Sequence, residues 1–138
     1  MTLPSVTIEF TPAFHDADPM GVVWHGHYLR FLEHAREALL DSFSYGYLAM
    51  EESGHAWPIV DCQLKYIAPV TFGQTVRITA TLVEYENRLR IDYVIHDTAT
   101  GRRTTKARTT QIAVNKATRE MCFVSPPVLF QKLGLPPP

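Results

Sequence analysis

One stretch of this chain has the three- and four-residue spacing of a long amphipathic helix, and a series of segments with a two-residue period follows it. From Tyr28 to Phe43, apolar residues recur on one helical face for about four turns. After Gly54 the alternation predicts strands at residues 57–66, 75–84, 89–96 and 103–114, with a short strand near 121–123. A single helix cannot bury its apolar stripe alone, so the sheet is expected to wrap around it in a two-layer α+β domain.

Two shorter segments complete the predicted order of elements. Residues 5–10 alternate polar and apolar, which predicts a first strand, and residues 48–53 predict a second, short helix ending at Gly54. A length of 138 residues predicts one domain over residues 1–138. The edge strands of such a sheet could pair with a second copy of the chain.

Composition excludes several classes of function. The chain has 13 Lys and Arg residues against 14 Asp and Glu, a net charge of −1, without the basic excess of a nucleic-acid-binding protein. Any anion-binding site must therefore be local. We expect no membrane span, because no apolar run approaches about 20 residues. Cys62 and Cys122 are too few for a disulfide framework, and no signal peptide is recognisable, so we expect a cytoplasmic protein with reduced thiols.

The segment from His15 to Tyr28 carries the densest group of polar side chains, and it lies directly before the long helix. A helix start has unpaired backbone N–H groups and the positive end of the helix dipole. A loop carboxylate beside such donors suits acyl transfer, since the N–H groups can hold the oxygen of a tetrahedral intermediate.

Two other interpretations of this segment remain open. Asp16 and Asp18 could be turn and capping residues, with the histidines as surface groups. Alternatively, Asp18, His25 and His27 could bind a metal ion. The two histidines, however, are two residues apart, and this spacing places them on different sides of a helix.

The loop carries the pattern Asp16-x-Asp18-x-x-Gly21-Val22-Val23-x-His25-x-x-Tyr28, and the predicted helix carries Phe31-x-Glu33-x-Ala35-Arg36. With these motifs the sequence closely resembles the hotdog-fold acyl-CoA thioesterases of the 4-hydroxybenzoyl-CoA thioesterase type, which include the Tol-Pal-associated bacterial enzymes. The resemblance covers nearly the whole chain. It implies an antiparallel sheet of five or six strands around one long helix, and hydrolysis of an acyl-CoA to a free acid and CoA.

The resemblance also implies roles for single residues in the loop. Asp18 matches the catalytic carboxylate, as nucleophile or general base. His25 matches the position whose backbone N–H polarises the thioester carbonyl, and its imidazole matches a histidine of the Tol-Pal-associated members. Asp16 and Gly21 match residues that shape the loop. Met20 departs from the family, where a smaller residue is common, and could narrow the pocket.

Substrate-binding residues are expected elsewhere in the chain. Arg88 and Arg90 share one side of their strand, and the resemblance implies that they bind the phosphates of CoA. Tyr28, Phe31 and Trp57 are candidates for the acyl pocket, and no cofactor or metal is expected.

The resemblance further implies a homodimer or homotetramer with active sites at subunit interfaces. The alternative function is a non-catalytic hotdog domain that binds an acyl-CoA or an acyl-carrier protein. A hotdog dehydratase is a further option, although those enzymes pair His and Asp in a different motif.

Overall fold

Five antiparallel strands form the main sheet of the protein. The computed structural model describes residues 2–138. The strands lie in the order β1-β4-β5-β6-β3 and comprise β1 (Ser5–Phe10), β3 (Ile59–Tyr66), β4 (Val76–Glu84), β5 (Leu89–Asp97) and β6 (Arg103–Gln111). The predicted first strand is confirmed with the same bounds.

The long helix α1 (Tyr28–Ser42) packs against one face of this sheet, chiefly on β1 and β4. Its buried residues recur at helical spacing and include Phe31, Leu32, Ala35 and Leu39. The sheet supplies rows of side chains that face the helix, because residues opposite one another in an antiparallel pair point to the same side. One such row consists of Val6, Ala80, Tyr93, Ala107 and Leu64. The prediction of an antiparallel sheet around one long helix is confirmed.

A small second sheet and two short helices close the ends of the core. Helix α2 (Tyr47–Glu52) leads into β2 (His55–Ala56), which pairs with β7 (Val114–Asn115). The strand expected near 121–123 is wrong, since only an isolated bridge joins Met121 to Val114. Helix α3 (Pro127–Leu133) was not predicted, and it buries Leu129 and Phe130.

Strand β3 lies at an edge of the main sheet, and its side chains are mostly exposed on both faces. The apolar residues Val60 and Tyr66 are 53% and 47% exposed. Their exposure is unusual for a strand, because an edge with unpaired N–H and C=O groups and apolar side chains is a template for pairing.

Candidate active site

The loop between β1 and α1 folds into a tight turn around Asp18. The amide of Gly21 donates to the Asp18 carbonyl (2.9 Å), and the amide of Asp18 donates to the Val22 carbonyl (2.8 Å). Asp and Pro are favoured at the first two positions of such a turn. Gly21 follows with a φ of 81°, in the left-handed region that glycine adopts without steric cost. The sequence therefore fixes the backbone that carries the Asp18 carboxylate.

Asp16 anchors the same loop from inside the protein. Its side chain is 1% exposed, accepts a hydrogen bond from the Ala13 amide (2.9 Å) and forms an ion pair with Arg30 on α1. Burial alone would raise the pKa of Asp16, but the hydrogen bonds from Ala13 and Arg30 outweigh it and hold the pKa below its ordinary value. Asp16 thus ties the loop to the long helix as a carboxylate.

The helix start lies beside Asp18. A 3-10 turn over His25–His27 leads directly into α1. Because His25 is the first residue of this turn, its N–H has no acceptor within the helix. Its carbonyl accepts a hydrogen bond from the hydroxyl of Tyr66 at the end of β3 (2.9 Å). The turn is thereby fixed to the edge strand.

A depression of about 310 Å³ brings these groups together. Its lining residues come from the loop, the helix start and the segment after β3: Asp18, Val22, Val23, His25, Tyr28, Tyr66, Ile67, Ala68 and Pro69. One oxygen of Asp18 accepts from the Met20 amide (2.8 Å), and no described residue donates to the other. The depression therefore combines a carboxylate, a helix start and apolar walls.

Two tyrosines form one wall of the depression. Tyr28 and Tyr66 meet edge to face, with ring centroids 4.9 Å apart, and the Tyr28 hydroxyl accepts a hydrogen bond from the Val70 amide (3.2 Å). Burial raises the pKa of both phenols. Both hydroxyls are therefore protonated at neutral pH, as donation from Tyr66 to the His25 carbonyl requires.

The other two candidates for the acyl pocket lie outside this depression in the single chain. Phe31 is 1% exposed and packs against Phe10, with ring centroids 4.2 Å apart. Trp57 lines a separate depression of about 250 Å³ beside α2, and its indole N–H donates to the Tyr45 hydroxyl (3.1 Å). Only Tyr28 of the three lines the depression that contains Asp18.

Arg88 and Arg90 lie at the opposite end of the sheet from Asp18. Arg90 is in register with Thr110, which lies opposite Asp61 near the start of β3. This position is roughly 17 Å along the strand from Tyr66. Both arginines form ion pairs with Glu84, at 3.1 Å and 3.3 Å. They cannot reach a substrate at Asp18 of the same chain without a large movement.

Sequence reasoning missed the segment Ile67–Pro69 as part of the site. The dipeptide Ala68-Pro69 was its signal, because the residue before a proline is held extended and the strand must end there. The carbonyl of Val70 then accepts from the Val23 amide (2.7 Å), which brings the segment against the loop. Met20, expected to narrow the pocket, instead points outward and is 80% exposed.

Residues 2–138 contain no group of three or more His, Cys, Asp and Glu side chains placed to hold a metal ion. None of the helices in these residues has the length and apolar character needed to cross a membrane.

Comparison with known proteins places this chain in a family. Residues 12–136 match the Thioesterase-like superfamily. A Bacillus subtilis protein named "Putative acyl-CoA thioesterase YneP" is 30% identical over 109 residues, which cover 78% of each chain. The structure of Slr0204 from Synechocystis, a 1,4-dihydroxy-2-naphthoyl-CoA thioesterase, superposes with a TM-score of 0.83 at 21% identity and covers 94% of this chain and 96% of its own. A 4-hydroxybenzoyl-CoA thioesterase variant complexed with 4-hydroxybenzoyl-CoA superposes with a TM-score of 0.81 at 17% identity, covering 94% and 99%.

The fold and the site thus define a hotdog-fold thioester hydrolase. The chain belongs to the Thioesterase-like superfamily. The predictions of the fold and of this class of enzyme are confirmed.

Proposed function

We propose that this protein hydrolyses acyl-CoA thioesters, with Asp18 as the reacting carboxylate and the His25 amide as the oxyanion donor. The observation that carries the proposal is that Asp18 and the start of the helix at His25 line one depression. Family membership supports the chemistry, and the name of the B. subtilis relative supports acyl-CoA as the substrate.

Two routes use the same groups. In the first, the Asp18 carboxylate adds to the thioester carbonyl, the C–S bond breaks, and water then hydrolyses the mixed anhydride. In the second, Asp18 removes a proton from a water molecule, which adds to the carbonyl before the C–S bond breaks. In both, the sulfur leaves with the bonding electrons and is protonated to the thiol of CoA. The N–H of His25 stabilises the oxyanion, a contribution of roughly 3 kcal/mol for a single donor.

We also propose that two copies pair through β3 in an antiparallel, two-fold arrangement centred on Gln63. This strand is self-complementary about that residue. Lys65 would lie opposite the partner subunit's Asp61, and both residues are on the outer face of the sheet. The flanking opposed pairs would be Cys62 with Leu64 and Val60 with Tyr66, which are apolar on both sides. Opposite charges and apolar pairs directly across a strand pair are stabilising.

This pairing completes the site. It brings the start of the partner's β3 next to Tyr66 and Ile67, on the open side of the depression. The partner subunit's Trp57 would then lie beside the acyl group. The partner subunit's Arg88 and Arg90 would be at the same end of the joined sheet as Asp18, and CoA contacts from these two arginines require this arrangement. A homotetramer would form from two such dimers through contacts between the outer faces of their sheets.

The alternative is a domain that binds an acyl-CoA or an acyl-carrier protein without reaction. The presence of the Asp18 carboxylate in the loop argues against it, because loss of that carboxylate would be expected of a non-catalytic domain. The two cysteines, both free thiols, agree with a reducing cytoplasmic compartment, which we propose as the location.

The test is thiol release from acyl-CoA substrates of different chain length and aromatic character by the wild type, Asp18→Asn and Asp18→Ala. We expect kcat to fall at least about 100-fold in both variants, as for loss of a reacting carboxylate. Glu120→Gln, an exposed carboxylate away from the site, is the matched control and should retain wild-type turnover. Near-wild-type turnover in a folded Asp18→Asn variant would exclude the proposed role. Binding of acyl-CoA by the wild type without any thiol release would favour the alternative.

A further inference from the structure

Ion pairs are distributed unevenly among the cationic side chains. Of the 13 Lys and Arg residues, seven have a carboxylate oxygen within 4.0 Å in the described part of the chain. Four of the others lie together where β3 ends and β6 begins: Lys65, Arg102, Arg103 and Lys106. We call this group the cationic corner.

The cationic corner lies on the face of the sheet that points away from α1. Lys106 is directly opposite Lys65 in the β3–β6 register, and Arg103 is opposite His96 in the β5–β6 register. Like charges directly opposite one another are destabilising unless an anion lies between them. Lys106 also stands at the rim of a depression of about 390 Å³ on this face.

The backbone connects the cationic corner to the active-site depression. The carbonyl of Thr104 accepts hydrogen bonds from the amides of Ile67 (2.9 Å) and Ala68 (3.0 Å), and both of those residues line the depression with Asp18. Arg103 directly precedes Thr104, and Lys106 follows two residues later. Arg103 therefore adjoins the residue that anchors one wall of the depression, and Lys106 lies two residues farther along β6 with its side chain on the outer face of the sheet.

The acidic groups near the cationic corner are already engaged. Asp92 forms a two-pronged ion pair with Arg108, at 2.6 Å and 3.0 Å. Asp97 accepts hydrogen bonds from the Ala99 amide (3.1 Å) and the Thr100 hydroxyl (3.0 Å) within its own hairpin. Neither carboxylate forms an ion pair within 4.0 Å with Arg103 or Lys106.

We propose that Arg103 and Lys106 bind phosphate groups of the CoA part of the substrate. This assignment rests on the acyl-CoA specificity proposed above. The depression at Asp18 holds only about 310 Å³, so the phosphates of a bound CoA thioester must lie outside it. In the proposed dimer Lys65 faces the partner subunit's Asp61, which leaves Arg102, Arg103 and Lys106 at this end of the sheet without a carboxylate oxygen of the described residues within 4.0 Å, and Arg103 and Lys106 are the two on strand β6. Phosphate oxygens are favoured partners for such groups.

Kinetics with two substrates test this assignment. Acyl-CoA and the corresponding S-acyl-pantetheine share the thioester and differ in the nucleotide phosphates. We expect the double variant Arg103→Ala/Lys106→Ala to raise KM for acyl-CoA about 10-fold. In the double variant, kcat for both substrates and KM for S-acyl-pantetheine should stay within two-fold of the wild-type values. Lys132→Ala, an exposed cation on α3, is the matched control and should change neither KM. An unchanged KM for acyl-CoA, or an equal rise for both substrates, overturns the assignment.

Calorimetric titration with CoA alone gives a readout that does not need turnover. We expect the Kd for CoA to rise about 10-fold in the double variant, with a smaller difference from the wild type at high salt. An unchanged Kd again overturns the assignment. If the wild type hydrolyses no thioester but binds CoA through Arg103 and Lys106, the proposed function is wrong while the phosphate site stands.

Discussion

The hydroxyl of Tyr66, at the end of the exposed edge strand, donates a 2.9 Å hydrogen bond to the carbonyl of His25, at the start of the long helix. This contact joins residues that are 41 positions apart in the chain. It orients the turn whose first N–H is the proposed oxyanion donor. The proposed strand pairing and the proposed oxyanion donor would therefore depend on the same side chain, because Tyr66 also lies on the edge strand at which a second copy is proposed to bind.

The variant Tyr66→Phe removes this hydrogen bond and keeps the aromatic ring. A single such bond contributes about 1 kcal/mol, so we expect kcat to fall roughly five-fold as the turn at His25 becomes less well oriented. KM should change little, since the apolar wall remains. Steady-state kinetics with one acyl-CoA measure both. Tyr85→Phe, which alters a tyrosine packed against Phe130 away from the site, is the control. Wild-type kcat in Tyr66→Phe would show that the contact does not position the helix start.

The buried carboxylate of Asp16 predicts a dependence of stability on pH. The pKa of Asp16 in the folded protein lies below its ordinary value of 3.8. Its contribution to the free energy of unfolding is therefore present above that ordinary value, and it is lost as the pH falls through the lower pKa of the folded state. We expect Asp16→Asn to lose about 2 kcal/mol of stability at pH 7, because Ala13 and Arg30 lose a charged acceptor. The difference from the wild type should narrow below pH 4.

Urea denaturation at several pH values measures the effect of Asp16→Asn. Glu37→Gln, an exposed carboxylate on α1, should leave stability unchanged at each pH. A constant difference between Asp16→Asn and the wild type from pH 7 to pH 3 would contradict the assigned charge state.

The proposed strand pairing predicts the outcome of a charge exchange. In the proposed dimer, residue 61 of each subunit faces residue 65 of its partner. Asp61→Lys alone therefore places two lysines opposite each other at both of these positions, and Lys65→Asp alone places two aspartates there. We expect either single variant to raise the Kd of the dimer about 10-fold, and the double variant to return it close to the wild-type value. Sedimentation velocity over a range of concentrations measures these constants. A double variant whose dimer Kd is raised by the product of the two single-variant factors would exclude the register centred on Gln63.

Much of the fold could be predicted because the hydrophobic period is a local property of the chain. The first strand has the predicted bounds, and α1 ends one residue before the predicted Phe43. The missing strand near 121–123 and the unpredicted α3 have a common cause, since neither segment has a clear period. Pro126-Pro127 suggests a break in structure, yet proline is well suited to the first turn of a helix, and burial of Leu129 and Phe130 stabilises α3 there.

By itself the sequence determined the long helix, the strands of the main sheet, the turn at Asp18 and the family to which the loop belongs, because turn chemistry and periodicity act between near neighbours. Only the tertiary structure decided which distant groups meet. It brought Tyr66 and Ile67–Pro69 to the helix start, and it placed Arg88 and Arg90 at the far end of the sheet. The physical reason is that strand order and register decide which residues meet across the sheet, and they depend on packing over the whole domain. The cationic corner is likewise a property of the tertiary structure, because only the folded chain shows which seven of the cations in residues 2–138 have a carboxylate oxygen within 4.0 Å and which have none.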